Sequence, residues 1–254
     1  MIRRSLKIAR RVCRQPPWPR SIPDQRCSWA PFIGFGDPDF SGTRAAEPVK
    51  LERLPDTADE LRAEANALGA PETSVYLGPD AMVTKVKSLD LSTTKVVSFA
   101  THGLIAGELP KIGEPALALT PPKEPTPEDD GLLRASQVAQ LKLNADFILL
   151  SACNTAAPDG TPGAEGLSGL AKAFFYAGAR SLLVSHWPVD SASAVKLTTG
   201  AFEALNANPH IGRAEALRRS ILAMVDPANA SAQDDDKVFS AHPIFWAPFV
   251  LVGE

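Results

Sequence analysis

Two residues of this 254-residue chain have the types and spacing for nucleophilic chemistry. Cys153 stands in Phe147 to Thr155, which reads FILLSACNT, and His102 stands fifty-one positions upstream in Thr101-His102-Gly103. A free thiol with a pKa of roughly 8.5 is only a few per cent ionised at neutral pH, so a neighbouring imidazole that accepts its proton raises the reactive thiolate. The same imidazole, once protonated, can hand that proton to the departing amine of a peptide. Gly103 has no Cβ, so its N–H can approach a tetrahedral oxyanion closely, with the N–H of Cys153 as second donor. One such donor is worth roughly 3 kcal/mol of barrier.

Both side chains must reach one crevice, and the sequence around them reads as two strands that do this. Phe147 to Leu150 is a short, continuously apolar run, which suits a strand buried on both faces of a parallel sheet. The small Ser151 and Ala152 then bring Cys153 to the strand's carboxyl end, where ligands of open α/β sheets bind. Val96-Val97-Ser98-Phe99-Ala100 delivers His102 in the same way. Neighbouring strands joined by one right-handed crossover would bring the imidazole within reach of the sulfur. A lone His or Cys at a strand end is more often structural. A His ending one strand and a Cys ending the next, about fifty residues on, is the order and spacing of a caspase site.

The remaining elements alternate. Pro31 to Asp39 reads as a short strand stopped by turn residues, Asp56 to Leu68 as a helix with Asp56 or Thr57 and Gly69 as caps, Ser74 to Leu77 as a strand and Ala81 to Leu89 as a short helix. The order βαβαβ predicts a parallel sheet with helices on its faces. Glu108 to Asp130 holds six prolines and six acids, so it is expected to be a loop bordering the crevice or a solvated excursion. Leu132 to Leu141 reads as the crossover helix into the Cys153 strand, with Ser136 as a local cap. Leu167, Leu170, Ala171, Phe174 and Phe175 follow helical spacing to Gly178, as core packing does. Ser181 to Ser185 is a further strand whose carboxyl end presents His186, Trp187 and Asp190. Helices over Ser191 to Asn206 and Gly212 to Val225 and a last strand, Pro248 to Val252, complete the pattern.

Composition narrows the function. With 44% hydrophobic residues and a net charge of −3, the chain reads as a globular protein with a sizeable core, and nucleic acid is not its expected partner. No run of about 18 apolar residues offers a membrane span. Three cysteines cannot form a disulfide framework, which favours a reducing, cytoplasmic setting. Residues 1–30 stand apart: eight Lys/Arg against the single acid Asp24, with Pro16, Pro17, Pro19 and Pro23. This arm reads as a disordered basic tail lacking the apolar core of a secretory signal, and residues 31–254 as one domain.

The segments THG, LLSACNT, EGLSGLAKAFFYAGARSLLVSHWPVD and HPIFWAPFVLVG, with FIGFGDPDF and VYLGPDAM, resemble the CHAT-domain family of caspase-like cysteine peptidases, which is distantly similar to separases and metacaspases. The resemblance runs from about Phe32 to Gly253. It implies a caspase-like three-layer α/β sandwich with a mostly parallel central sheet flanked by helices. It further implies a His102–Cys153 dyad cleaving peptide bonds in a protein substrate, with no metal and no cofactor, and a regulatory repeat domain or partner protein. Three departures stand out. Family members usually carry further strands and helical repeats before the FIGFGDP segment, so the domain reads as N-terminally truncated, with an open sheet edge. The family's usual Leu before Trp187 is His186. Metacaspases place an aspartate for a basic P1 residue two positions before the cysteine, where this chain has Ser151. Asp37, Asp39 and Asp190 join Ser151 and His186 as substrate-contact candidates, each also plausible as a turn or cap residue. Two other classes stay open: an inactive interaction module that keeps the fold, and a metal site from Cys153, His102 and His186, for which a fourth ligand is missing.

Overall fold

The computed structural model describes residues 30–41, 51–106, 113–126, 128–152, 169–187, 190–226 and 241–253. Of the basic arm, residues 1–30, all but the last position, Ala30, lie outside them. The first strand is β1 (Ala30–Pro38), followed by α1 (Asp56–Ala67), β2 (Val75–Gly78), α2 (Val83–Ser88) and β3 (Thr94–Ala100). Two short strands, β4 (Gly103–Leu104) and β5 (Ala116–Ala118), lead to β6 (Leu132–Arg134) and one turn of helix, α3 (Ala135–Val138). Then come β7 (Phe147–Ser151), α4 (Gly169–Ala177), β8 (Ser181–Ser185), α5 (Ser191–Ala207), α6 (Arg213–Val225), the single turn α7 (Pro243–Trp246) and β9 (Phe249–Gly253).

Among the described residues, six strands form the central sheet in the order β2-β1-β3-β7-β8-β9. Every pairing is parallel except the last, β8 with β9. The period-two alternation of side chains explains the three layers. Along β7, Phe147 and Leu149 pack toward α1, α5 and α6, whereas Ile148 and Leu150 pack toward α2, α3 and α4. Val96 and Ala100 against Val97 and Phe99 divide in the same way on β3. Close approach requires glycine at Gly36, where a Cβ would stand 2.6 Å from Leu61 Cδ1 and 2.9 Å from the Ala100 carbonyl oxygen. Gly178 ends α4 at φ +109°, a left-handed turn that glycine makes without strain. No helix among the described residues is long and apolar enough to cross a membrane.

Three expectations need correction. Leu132 to Leu141 is not a crossover helix: Leu132–Arg134 pairs antiparallel with β5, and only Ala135–Val138 is helical. The Asp130–Arg134 ion pair, 2.6 Å, holds this bend, and Ser136 donates its N–H and hydroxyl to Glu114 instead of capping a long helix. The Pro-dense segment, in turn, is not wholly irregular, since β5 within it joins β4 and β6 in a three-stranded antiparallel sheet. Helix α1 also starts differently, with Pro55 at the N-cap position and no side-chain cap.

Helix α1 buries two carboxyl groups one turn apart. Glu60 and Glu64 are 1% and 0% exposed, on the face that packs on the sheet at β1 and β3. Burial pushes the Glu60 carboxyl well above 4.5, the Glu64 charge pushes it further, and a hydrogen bond with the Ser151 side chain opposes both. Burial raises the Glu64 carboxyl to about 7, against the opposing Ser98 and Thr198 hydroxyls, although neither Glu64 oxygen has a hydrogen bond of ordinary geometry. An acid with a raised folded pKa contributes its stability below the unfolded value and loses it as pH rises through the folded one. For Glu64 that window runs from 4.5 to about 7. Glu64→Gln keeps the shape and removes the charge. Its stability relative to wild type should therefore rise by about 3 kcal/mol between mildly acidic and mildly alkaline pH. Urea titrations at the two ends of the window measure this, and a pH-independent difference would show Glu64 to be ionised throughout.

Candidate active site at the carboxyl ends of β3 and β7

The strands that lead to His102 and Cys153 are neighbours. They pair from Val96↔Phe147 to Ala100↔Ser151, and the Thr101 N–H continues the ladder to the Ser151 carbonyl at 3.2 Å. His102 and Cys153 each stand two residues past the Ala100↔Ser151 pair. Cys153 lies outside the described residues, as do 154–168. The structure fixes the residue before it. The Ser185 hydroxyl on β8 donates to the Ala152 carbonyl at 2.6 Å, anchoring the chain where β7 ends.

His102 is half-buried, and its Nε2 stands 2.7 Å from the Glu52 backbone oxygen. A carbonyl only accepts, so Nε2 must carry the hydrogen, and in the neutral ring Nδ1 is left as the acceptor. The Phe40 ring lies against the imidazole with centroids 5.8 Å apart. The backbone beneath is clipped to β5, since the Ala118 N–H donates to the His102 carbonyl at 2.9 Å and the Thr101 hydroxyl donates to the Ala118 carbonyl. This makes His102 and Ala118 a hydrogen-bonded antiparallel pair. By alternation Gly103 and Leu117 form a non-hydrogen-bonded pair, and the Gly103 N–H points away from β5.

The carbonyl that holds His102 belongs to an irregular stretch running along the ends of β1 and α1. Arg53 grips Asp37 with two hydrogen bonds, Nε to Oδ1 at 2.8 Å and Nη2 to Oδ2 at 2.7 Å. Asp37 is 4% exposed, its N–H donates to Thr57 Oγ1 at 2.8 Å, and the Thr57 hydroxyl donates to the Leu54 carbonyl at 2.7 Å. Asp39, two residues on, accepts from the Ser41 N–H at 2.9 Å, and that bond together with the Ser41 hydroxyl lowers its pKa. Asp190 accepts from the Ser193 N–H at 2.8 Å as the N-cap of α5. His186 is exposed past the end of β8, its N–H donating to the Pro248 carbonyl at 3.0 Å. Ser151 turns toward α1 and Glu60. The structure thus gathers Asp37, His102 and Gly103 at one end of the sheet with Ser151. Glu52, Arg53, Phe40, Glu60 and Ser185 escaped the sequence reading. Of these, only Glu60 carried a signal, since it sits, like Glu64, beside Leu61 and Ala65 of the helix's apolar stripe.

A family model described as the CHAT domain matches residues 3–254 of the chain. Tetratricopeptide repeat protein 28 of Mus musculus is 33% identical over 127 residues, which are 48% of this chain and 4% of that protein. The chain therefore spans about 4% of the length of this curated relative. Among solved structures, that of the Arg-specific cysteine proteinase gingipain R superimposes with a TM-score of 0.50 at 14% identity, covering 89% of this chain and 46% of that one. At such low identity the likeness speaks for the fold alone.

Proposed function

The chain belongs to the CHAT-domain family and has a caspase-like α/β fold, and from that premise we propose that it is a cysteine endopeptidase hydrolysing peptide bonds in protein substrates through a Cys153–His102 dyad. The observation that carries this reading is the Nε2–H of His102 on the Glu52 carbonyl, at the end of the strand beside the one leading to Cys153. It leaves Nδ1 free to act as a base.

In this reading His102 Nδ1 takes the thiol proton and the thiolate attacks the scissile carbonyl carbon. The N–H groups of Gly103 and Cys153 hold the resulting oxyanion. Nδ1–H then protonates the departing amine as the C–N bond breaks, leaving a thioester on Cys153. Water, deprotonated by His102, attacks that thioester, and the carboxylic acid leaves as the thiol is restored. Ser151, His186, Asp39 and Asp190 are the proposed substrate contacts around this dyad. A reducing, cytoplasmic setting belongs to the same proposal, because it keeps a nucleophilic thiol free.

The chain's similarity to a protein named for tetratricopeptide repeats favours a repeat-bearing partner that recruits substrate or controls activity. It also supports a second reading, an interaction module that keeps the fold without the chemistry. One experiment separates them. Incubation with a cell lysate and sequencing of new peptide termini should yield termini with wild type that are absent with Cys153→Ala. No such termini, together with failure of a thiol-directed covalent probe to label Cys153 in folded protein, would select the interaction module.

A further inference from the structure

We propose that the Asp37–Arg53 ion pair is a positioning clamp for His102: it fixes the Glu52 carbonyl and thereby holds the imidazole in the Nε2–H tautomer. Its consequence for cleavage rests on the peptidase reading above. Its consequence for the tautomer does not.

The argument starts from backbone conformation. Asp37 is the one non-glycine residue with positive φ among the described residues, at +43°. It stands where the β1–β2 register slips between Gly36 and Pro38. A left-handed conformation at a residue with a Cβ is strained, and such strain persists only where the surroundings hold it. Here the holding is specific. The Asp37 N–H is tied to Thr57, and both carboxylate oxygens are taken by the Arg53 fork. The strained turn therefore aims a buried carboxylate, its side chain 6% exposed, at a guanidinium whose side chain is 63% exposed.

A half-exposed pair of this kind adds little to global stability, since screening by water takes most of its Coulomb energy. What it does add is geometry, because a bidentate fork fixes position and direction together. Glu52 is the residue immediately before Arg53, and the Leu54 carbonyl after it is held by the Thr57 hydroxyl. Arg53 is thus anchored through its side chain and through the carbonyl of the next residue. Its preceding carbonyl must then stay where His102 Nε2 finds it, at 2.7 Å. With Arg53 released, that carbonyl could swing away, and the ring would exchange between tautomers. In the Nδ1–H form the imidazole cannot accept the thiol proton at Nδ1.

The experiment is nitrogen-15 NMR of the histidine imidazole, with the His102 signals assigned by their loss in His102→Ala, on wild type, Arg53→Ala, Arg53→Lys and Asp37→Asn. The expected result is an Nε2–H tautomer in wild type, mixed tautomers in Arg53→Ala and Asp37→Asn, and partial recovery in Arg53→Lys, which keeps the charge but loses the fork. Where cleavage is measured, kcat should fall roughly 10- to 100-fold with KM nearly unchanged, as for other groups that orient a working histidine. Should Arg53→Ala not fold, the same spectrum of wild type in molar salt takes its place, because screening loosens a half-exposed pair. An Nδ1–H tautomer in wild type overturns the proposal. So does an Nε2–H tautomer that survives in the variants or, where the salt measurement replaces them, in salt. A tautomer shift as expected in a protein that cleaves nothing leaves the clamp standing and removes the peptidase reading.

Discussion

His102→Ala should abolish cleavage, by roughly a thousandfold or more, while leaving the fold intact. The loss is large because the two roles of the imidazole, accepting the thiol proton and returning it to the amine, have no other described candidate at the ends of β3 and β7. The fold should survive because the ring belongs to no buried cluster. It rests half-exposed on Phe40 and on the Glu52 carbonyl, and the sheet beneath is held by backbone pairing that alanine keeps. Two measurements check the origin of the loss. Thermal melting should match wild type within a few degrees. Alkylation of Cys153 at neutral pH should slow, since the thiol has lost the base that takes its proton. Normal cleavage by the variant would end the dyad assignment.

What the sequence made legible was whatever follows a simple period. Phe147 to Leu150 is apolar without interruption, and Val96 to Ala100 is apolar but for Ser98, because both faces of a central parallel strand are covered, and the structure makes them neighbours. Small residues after each run marked the strand ends, so the address of His102 could be read. Its environment could not. Glu52 acts through a backbone carbonyl, which any residue supplies, and Arg53 sits in an irregular stretch with no period to read. Only the fold brings that stretch across the end of β1.

The misreadings have physical causes of the same kind. Leu132 to Leu141 read as a helix from the apolar Leu133, Val138 and Leu141 and a capping Ser136, but a strand partner, β5, lay hidden among prolines and captured Leu132–Arg134. The local pattern lost to tertiary pairing. Glu60 and Glu64 were overlooked because carboxylates are expected in water. Their positions, one residue before Leu61 and Ala65, put them on the buried stripe, and Ser98, Ser151 and Thr198 supply polar neighbours there. Residue type argued for solvent, and position decided for the interior.

Leu150→Ala should cost about 2–5 kcal/mol, a large share of the roughly 5–15 kcal/mol that holds a domain together. Leu150 is 1% exposed and lies three residues before Cys153, opposite Phe99 on β3. Its side chain belongs to the cluster of Phe99, Phe174 and Val184, between the sheet and α4. Strands on both sides and a helix above leave the site little room to collapse, so the cavity term adds to the lost transfer energy. In urea the midpoint should fall with an unchanged slope, the mark of a stability change without a change in unfolded surface. Leu222→Ala, at a position 49% exposed on α6, is the control and should stay within about 0.5 kcal/mol of wild type. A Leu150→Ala cost no larger than the control's would mean that β7 is not a central strand, and the platform proposed to carry Cys153 would be lost with it.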